Sequence, residues 1–321
     1  MEQIALGTSD RLTTRLGFGC GNIMGAMGRR ESMKLLEAAY DAGIRHFDVA
    51  PRYGYGEAES CLGEFLARHR EQVTVTTKYG IFPAKKTSLI SVGRRIAGPV
   101  IKQLPGVKQR LAKVVKAATQ NKERPTFTAA QARASLARSL AALRTDRIDL
   151  WLLHEVSVRD LQDDGLLHLL EDLVQQGIIG SFGVGSSADK IPALLAERPA
   201  YCRALQHEWS ILDAPIHNVN PFRIHHRTLT DNFPAIRAAL INDKPLRQRW
   251  SESINADLGH PEVLANLMLK AALVMNPTSI ILFSSKNPQH IQANVHTADD
   301  STLDQPAREL YNLVQAEADQ L

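Results

Sequence analysis

Short apolar runs alternate along the chain with longer segments whose apolar residues recur at helical spacing. The run at residues 72–77 (QVTVTT) alternates β-branched residues, which is a strong strand signal. Gly43 follows one helical segment at the position where glycine commonly ends a helix. The predicted strands are Leu16–Gly19, Ile44–Val49, Gln72–Thr77, Arg147–Leu153, Ser181–Gly185, Arg203–Glu208, Phe222–His226 and Ile280–Phe283. The main predicted helices are Glu31–Ala42, Glu57–Arg68, Thr126 or Thr128 to Leu143, Asp160–Gln175 and Pro306–Gln320.

This alternation predicts a fold class. Strands that alternate with helices pair in parallel through right-handed crossovers, and eight such units favour a closed barrel. The open dinucleotide-binding sheet is disfavoured, because the glycines of residues 17–21 (GFGCG) lack the G-x-G-x-x-G spacing. We therefore expect a (β/α)8 TIM barrel that forms one domain across residues 1–321, with a long insert after strand 3.

Composition suits this expectation and indicates a compartment. The chain has 321 residues, of which 44% are hydrophobic, and no apolar run of membrane-spanning length. Its first residues lack the pattern of a secretory signal. The three cysteines, Cys20, Cys61 and Cys202, are widely spaced and odd in number, which fits neither a disulfide framework nor a zinc knuckle. We expect a cytoplasmic protein without a membrane span.

Basic charge is concentrated in one segment, residues 80–126. Residues 81–126 hold eleven Lys or Arg and a single acid, so the rest of the chain is mildly acidic despite a net charge of +4. This distribution does not indicate a nucleic-acid-binding surface. The insert is far longer than an ordinary strand-to-helix loop, and it carries apolar residues among its lysines. A helical excursion or flap beside the active site is favoured, and a membrane-surface or acidic-partner contact is the alternative.

Four ionisable residues fall at the carboxyl ends of predicted strands, where barrels of this kind carry their chemistry. Asp48 lies at the end of the second strand and Tyr53 in the loop after it, Lys78 follows the third strand, and His154 follows the fourth. Each alone would be read as a cap, a packing residue or a solvated charge. Four ionisable side chains at one rim of the barrel predict a functional site.

The four side chains form a coherent acid–base set. A tyrosine hydroxyl has a pKa near 10, and a lysine ammonium within a few ångström lowers it. The aspartate would keep the lysine charged and oriented, and the histidine would donate a hydrogen bond to a substrate oxygen. Together they could polarise a carbonyl while a cofactor delivers hydride. We predict Asp48, Tyr53, Lys78 and His154 as catalytic residues.

Residues 43–59 (GIRHFDVAPRYGYGEAE) resemble the aldo-keto reductase signature G-[FI]-R-x-[FI]-D-T-A-x-x-Y-G, with Val49 at the usual Thr. Lys78 and His154 match the lysine and histidine motifs of that superfamily. Residues 180–187 (GSFGVGSS) are similar to its I-R-x-[FI]-G-V-S-N, with Ser187 at the usual Asn. The resemblance runs from about residue 15 to residue 294. It implies an NAD(P)H-dependent oxidoreductase that interconverts a carbonyl (aldehyde, ketone or aldose) and an alcohol.

The resemblance also implies where the nicotinamide lies. Ser186 and Gln206 match the positions that hold the carboxamide, with Ser187 beside them. Trp209 falls where the family places an aromatic ring on the nicotinamide. Asp48 reaches toward the ribose in the family, and the backbone turn from Gly19 to Gly21 lines the same region. All of these are expected cofactor-binding residues.

The segment expected to bind the phosphate end of the cofactor differs from the family pattern. Residues 284–294 (SSKNPQHIQAN) resemble the segment after strand eight, so Ser284 and Asn294 are expected contacts. His290 replaces the usual 2′-phosphate arginine, and Lys286 either compensates or is solvated. NADP(H) is therefore favoured and NAD(H) is possible. For Arg227 two interpretations stay level: it meets a phosphate, or residues 225–227 form a strand rim without a ligand.

Other functions are weaker matches to the same residues. A nucleotide-binding regulatory subunit, like the channel-associated members of this superfamily, would not need all four ionisable residues. A Schiff-base aldolase using Lys78 would leave Asp48 and Tyr53 without a role. A metal site at His217, His225 and His226 is disfavoured, because no carboxylate or cysteine accompanies them. The sequence predicts a small-molecule carbonyl or sugar substrate without naming it, and it does not indicate the oligomeric state.

Overall fold

The computed structural model describes residues 1–7, 9–25, 27–81, 126–215, 220–230 and 232–317. The predictions for the segment 82–125, which is nearly all of the basic insert, lie outside these residues, as does His217. In the described ranges, no helix has the length and apolar character needed to cross a membrane.

Eight parallel strands close into a barrel, which confirms the predicted fold class. The strands are β1 (Gln3–Ala5), β2 (Leu12–Thr14), β3 (Leu16–Gly19), β4 (His46–Asp48), β5 (Thr74–Tyr79), β6 (Ile148–His154), β7 (Ile179–Gly185), β8 (Ala204–Glu208), β9 (Phe222–His226) and β10 (Ser279–Phe283). The order around the barrel is β10-β3-β4-β5-β6-β7-β8-β9, so β10 pairs with both β3 and β9. A short antiparallel hairpin of β1 and β2 precedes the barrel.

Helices surround the barrel and begin where the sequence offers caps. Thr128 accepts a hydrogen bond from the backbone N–H of Gln131, and Asn287 accepts one from Gln289 before Pro288 opens the next helix. The helices are α1 (Arg29–Asp41), α2 (Ala58–His69), α3 (Ala129–Leu143), α4 (Asp164–Gln175), α5 (Ile191–Glu197), α6 (Asn232–Asn242), α7 (Lys244–Ile254), α8 (Pro261–Met275), α9 (Pro288–Asp299) and α10 (Asp304–Ala316).

Two apolar layers hold this architecture together. A small cluster fills the barrel interior, and a much larger one lies between the strands and the helices. Successive strand residues point to opposite faces, so one strand serves both layers. Interior residues include Leu150 and Leu152 of β6 and Ile224 of β9, while Trp151 faces the helices. Leu6, after the first strand of the hairpin, is fully buried in the interior cluster and closes the amino-terminal end of the barrel.

Some predicted boundaries were wrong. Lys78 lies inside β5 rather than after it, because the strand continues to Tyr79. The fourth helix begins at Asp164, since a separate 3-10 turn occupies Val158–Asp160. The last helix begins at Asp304 with Leu303 at its cap, so Pro306 is its third residue instead of its first. Gln320, its predicted end, lies outside the described residues.

Candidate active site

A buried ion pair forms the centre of the site. Asp48 ends β4, and Lys78 lies near the end of the neighbouring β5, so both side chains reach the same rim. The Lys78 ammonium donates to both carboxylate oxygens of Asp48, at 2.6 and 2.7 Å, and to the Val49 carbonyl at 3.3 Å. Burial alone would lower the pKa of Lys78, but the Asp48 carboxylate and Tyr53 raise it above its ordinary value. Lys78 therefore stays charged although it is buried.

Tyr53 reaches this pair from the loop after β4. The turn Tyr53–Gly56 follows, and Gly54 adopts a φ of 56°. A Cβ at Gly54 would lie 2.6 Å from the Ile23 carbonyl oxygen and from the Met24 Cβ, so the turn requires glycine at this position. The Lys78 Nζ lies 5.4 Å from the centre of the Tyr53 ring. The structure thus brings Asp48, Lys78 and Tyr53 together.

The pKa of Tyr53 differs from the expectation. The Lys78 charge lowers it, as predicted, but burial and the Asp48 carboxylate raise it, and the net shift is upward from the ordinary value. The prediction of a net lowered pKa is therefore wrong for this structure. The reason is that burial of Tyr53, together with the nearby Asp48 carboxylate, outweighs the effect of the Lys78 charge. Tyr53 thus holds its proton at neutral pH, which suits a proton donor.

His154 completes the set from the end of β6, beside β5. Its Nδ1 atom is buried and has no hydrogen-bond partner among the described residues. Burial, then the charge of Lys78, then that of Arg52, lower the pKa of His154 to about 2. The imidazole is therefore neutral at working pH, and it offers one N–H donor and one acceptor nitrogen.

Gln206 and Ser186 lie at the same rim with hydrogen bonds of their own. The Gln206 amide donates to Asp48 Oδ2 at 2.7 Å. The Ser186 hydroxyl donates to the Val156 carbonyl at 2.8 Å, which leaves its oxygen free to accept a hydrogen bond. Ser187 immediately precedes the short 3-10 turn Ala188–Lys190.

Trp209 lies away from the ion pair. It is almost fully buried, its indole N–H donates to the Ala214 carbonyl at 3.0 Å, and its ring stacks on Tyr311 with centres 6.4 Å apart. Its ring also lies 6.4 Å from His225, which points toward the helices because Ile224 and His226 point inward. Its stacking on a nicotinamide stays a prediction that these contacts do not favour.

His226 is a site residue that the sequence argument did not assign. It is two residues beyond the interior Ile224, so its ring points into the barrel mouth. Burial and the charge of Lys78 lower its pKa, and Asp48 partly opposes this shift. The sequence did contain a signal, because side chains alternate along β9 and His226 therefore faces the interior with Ile224. Two adjacent histidines hide which of them faces inward.

The residues predicted to bind the phosphate end of the cofactor lie in and just before the first turns of α9. Ser284, Lys286 and His290 are exposed, and Asn294 is half-buried on the same helix face as His290. The free backbone amides at a helix start attract anions. The exposed Arg227 follows β9 with a φ of 62°. Contact of Arg227 with a phosphate stays a prediction, and His225 and His226 belong to β9.

The backbone turn after β3, from Gly19 to Gly21, leaves open space beside the residues predicted to bind the phosphate. The Ser284 hydroxyl donates to the Gly19 carbonyl at 2.6 Å, which joins the turn to the last strand. A Cβ at Gly19 would meet the Ser284 hydroxyl at 2.8 Å, whereas one at Gly21 would meet no atom within 4 Å. This open space, the exposed Lys286 and the polar rim at Gln206 fit an extended, negatively charged nucleotide. Among the described residues, no group of three or more His, Cys, Asp or Glu could hold a metal ion.

The profile of the aldo/keto reductase family matches residues 15–249, so the chain belongs to that family. The chain is 30% identical over 212 residues to a D-threo-aldose 1-dehydrogenase of Pseudomonas sp, a match that covers 62% of this chain and 58% of that protein. It is 29% identical over 229 residues to an NADH-specific methylglyoxal reductase of Escherichia coli, covering 68% and 62%. These matches thus span less than two thirds of each relative.

Solved structures share the fold along nearly the whole chain. The holo form of the aldo-keto reductase AKR11C1 from Bacillus halodurans superposes with a TM-score of 0.65 at 21% identity, covering 97% of this chain and 96% of that one. An aldo/keto reductase from Klebsiella pneumoniae in complex with NADP and acetate gives 0.61 at 19% identity, covering 98% and 94%. At these identities the likeness supports the barrel fold alone.

Proposed function

We propose that this chain is a nicotinamide-dependent oxidoreductase that interconverts a carbonyl and an alcohol, with Tyr53 as the proton donor. One observation carries the proposal: the Lys78 ammonium lies between the Asp48 carboxylate, at 2.6 and 2.7 Å, and the Tyr53 ring, at 5.4 Å. A tyrosine beside a buried, charged lysine can lose its proton in a transition state that the lysine stabilises.

The proton step follows from this arrangement. Tyr53 donates its hydroxyl proton to the carbonyl oxygen as that oxygen gains electrons. The phenolate left behind faces the Lys78 ammonium, whose charge is held in place by Asp48. In alcohol oxidation the same phenolate accepts the proton. Asp48 and Lys78 thus act through Tyr53, because neither of them has to reach the substrate.

His154 orients the substrate in this proposal. Its imidazole is neutral, because its pKa is lowered to about 2 by burial and by the charges of Lys78 and Arg52. A neutral ring donates one hydrogen bond without adding charge beside the reacting carbon. This donation would hold the carbonyl oxygen toward Tyr53 and shorten the path of the proton.

A nicotinamide nucleotide, when bound, supplies or accepts the hydride. Gln206 and Ser186 would hold its amide end beside Asp48, and Ser187 would border it. Lys286 and His290 would face the phosphate end, with Ser284 and Asn294 beside them. NADP(H) is favoured by the exposed Lys286 and His290, and NAD(H) is possible because no arginine stands at the predicted 2′-phosphate position.

The substrate class and setting belong to the proposal. An aldose dehydrogenase and a methylglyoxal reductase among the relatives are consistent with a small carbonyl compound or a sugar as the substrate. We further propose that the chain forms one barrel domain and acts in the cytoplasm, in keeping with its few, widely spaced cysteines.

The test measures binding and turnover separately. Fluorescence titration gives the affinity for NADPH and NADH, and a single-turnover assay follows oxidation of the bound nucleotide by aldehydes, ketones and aldoses. We expect binding together with turnover of at least one carbonyl class. Absence of nucleotide binding would contradict the proposal, and tight binding without any turnover would support a regulatory role instead.

A further inference from the structure

The short turn between β7 and α5 follows the two serines that are proposed to lie beside the amide end of the cofactor. The first backbone N–H groups of a helical turn have no partner within it, and a preceding serine hydroxyl usually accepts one of them. Ser187 stands at that position, but its hydroxyl forms no capping hydrogen bond with the residues that the structure describes. Instead, the N–H of Ala188 is accepted by Oε2 of Glu208 at 2.9 Å. A residue from a neighbouring strand thus replaces the local cap.

The end of β8 holds this turn at two points. Glu208 is the last residue of the strand and lies two residues after Gln206, so both side chains point to the inward face. The Gln206 carbonyl accepts the backbone N–H of Ser186 at 3.0 Å. Glu208 accepts that of Ala188, as described above. Ser187 therefore lies between two residues whose backbone is bonded to β8.

The loop after β6 holds the turn from the other side. The Ser186 hydroxyl donates to the Val156 carbonyl at 2.8 Å, so its oxygen is left to accept an N–H donor such as the NH2 group of a carboxamide. Lys190, at the end of the turn, pairs with Glu155 at 3.0 Å. Both members of this pair are partly exposed, so it contributes little. The Glu208 hydrogen bond is charge-assisted and is the stronger of the two anchors.

We propose that Glu208 is a positioning residue for the amide end of the cofactor. By accepting the Ala188 N–H, it fixes the turn so that the hydroxyl oxygens of Ser186 and Ser187 face the carboxamide. The Ser187 hydroxyl is not needed as a cap and remains available to the cofactor. The inference rests on the proposed function and goes beyond it by assigning a role to Glu208. This residue acts through the turn, and the proton step does not require it.

The experiment measures how strongly the protein prefers a nucleotide that carries a carboxamide. NADPH and NADH are each compared with the reduced 3-acetylpyridine analogue, in which a methyl ketone replaces the carboxamide and removes its NH2 donor. Fluorescence titration gives the two dissociation constants, and their ratio cancels general losses of affinity. A purely structural role of Glu208 would weaken binding of both nucleotides equally and leave this ratio unchanged.

Two variants remove the hydrogen bond from opposite sides. Glu208→Met removes the acceptor and keeps the length of the side chain. Ala188→Pro removes the donor and keeps the Glu208 charge. Proline suits the first position of a helical turn, and the preceding Ser187, at a ψ of 148°, already has the extended conformation that proline requires.

Two further variants serve as matched comparisons. Glu208→Gln is the conservative variant, because the glutamine side chain still offers an acceptor oxygen. Glu171→Gln is the control for removing a carboxylate. Glu171 is exposed on α4 and pairs at 2.8 Å with Arg203, which lies just before β8, at the opposite end of that strand from Glu208.

We expect the parent and the Glu171 variant to prefer the carboxamide by roughly 3–10-fold, as for a neutral hydrogen bond. Glu208→Met and Ala188→Pro should each reduce this preference to less than two-fold, and Glu208→Gln should keep most of it. An unchanged preference in either of the first two variants, or a parent without a preference, would overturn this inference alone. Ala188→Pro decides the question where Glu208→Met does not fold. A parent that binds neither NADPH nor NADH would contradict the proposed function and the inference together.

Discussion

Gln206 donates its side-chain amide to Asp48 at 2.7 Å, across the barrel mouth from β8 to β4. The residue expected to hold the carboxamide of a nicotinamide is thus bound to the carboxylate that holds Lys78. From side chains in the described part of the chain, Asp48 accepts three hydrogen bonds, two from Lys78 and one from Gln206. The proposed cofactor contact is therefore joined to Lys78, the neighbour of the proposed proton donor, through one buried carboxylate.

Gln206→Met tests this link, because methionine keeps the length of the side chain and removes the donor. We expect the free energy of unfolding to fall by about 1.5–3 kcal/mol, the usual contribution of a hydrogen bond to a charged group. Denaturant unfolding measures it, and Gln131→Met on the exposed face of α3 is the control. An unfolding free energy equal to that of the parent would show that Asp48 does not need this donor.

His46 should make stability depend on pH. It is fully buried in β4, and burial lowers its pKa to about 4, with Asp48 opposing this shift and Lys78 adding to it. The unfolded chain binds a proton at this histidine below pH of about 6.5, whereas the folded chain does so only below about 4. Stability should thus fall as pH drops through this window, by about 1.4 kcal/mol per pH unit for this group.

Urea unfolding between pH 7 and pH 4 measures this dependence. His46→Gln should reduce the slope of unfolding free energy against pH by the amount expected for one proton. The exposed His168 on α4, replaced by Gln, serves as the control for removing a histidine. An unchanged slope in the His46 variant would mean that other groups carry the acid sensitivity.

We predict different effects on cofactor binding for His226, at the end of β9, and for Trp209, just after β8. We expect His226→Ala to weaken NADPH binding, because His226 faces the mouth beside Lys78 and Asp48. Trp209→Leu, which removes the ring, should leave this affinity within about two-fold, because Trp209 packs on Tyr311. Loss of a stacked ring costs roughly 0.5–1.5 kcal/mol, or about 2–10-fold in the dissociation constant. The reverse order of effects would restore Trp209 as the stacking ring.

Lys286 should distinguish the two nucleotides. It is exposed at the start of α9, where the 2′-phosphate of NADPH is expected. Lys286→Ala should weaken NADPH binding by roughly 2–5-fold, because an exposed charge pair contributes only about 0.2–1 kcal/mol. NADH binding should change less, since NADH lacks that phosphate. Equal losses for both nucleotides would place Lys286 at the shared pyrophosphate or outside the site.

The fold was predictable because the strands are short apolar runs and the helices carry helical spacing and capping residues. Asp48, Tyr53, Lys78 and His154 were assigned from their positions at strand ends, and Asp48, Lys78 and Tyr53 do converge. The net pKa shift of Tyr53 was not predictable, since it depends on burial and on the contact of Asp48 with Lys78. The separation of Trp209 from His226 depends on which face of each strand meets the barrel interior. Packing across several strands determines which face that is, so the sequence of one strand alone does not predict it.

Lys78 should act on the same step as Tyr53. Lys78→Met removes the charge that stabilises the phenolate, so its effect should pass through Tyr53. The double variant Tyr53→Phe, Lys78→Met should then be scarcely slower than either single variant, as for residues that act as a unit. Multiplicative losses in the double variant would mean that the two side chains contribute to separate steps.

The most direct test of the account is the single-turnover rate of Tyr53→Phe with bound NADPH and an aldehyde that the parent reduces. Phenylalanine keeps the packing of the ring and removes only the hydroxyl that carries the proton. We expect nucleotide affinity to survive while the reduction rate falls by roughly 10²–10⁴-fold, the range for a lost acid–base group. A rate within a few-fold of the parent would contradict the assignment and show that another group delivers the proton.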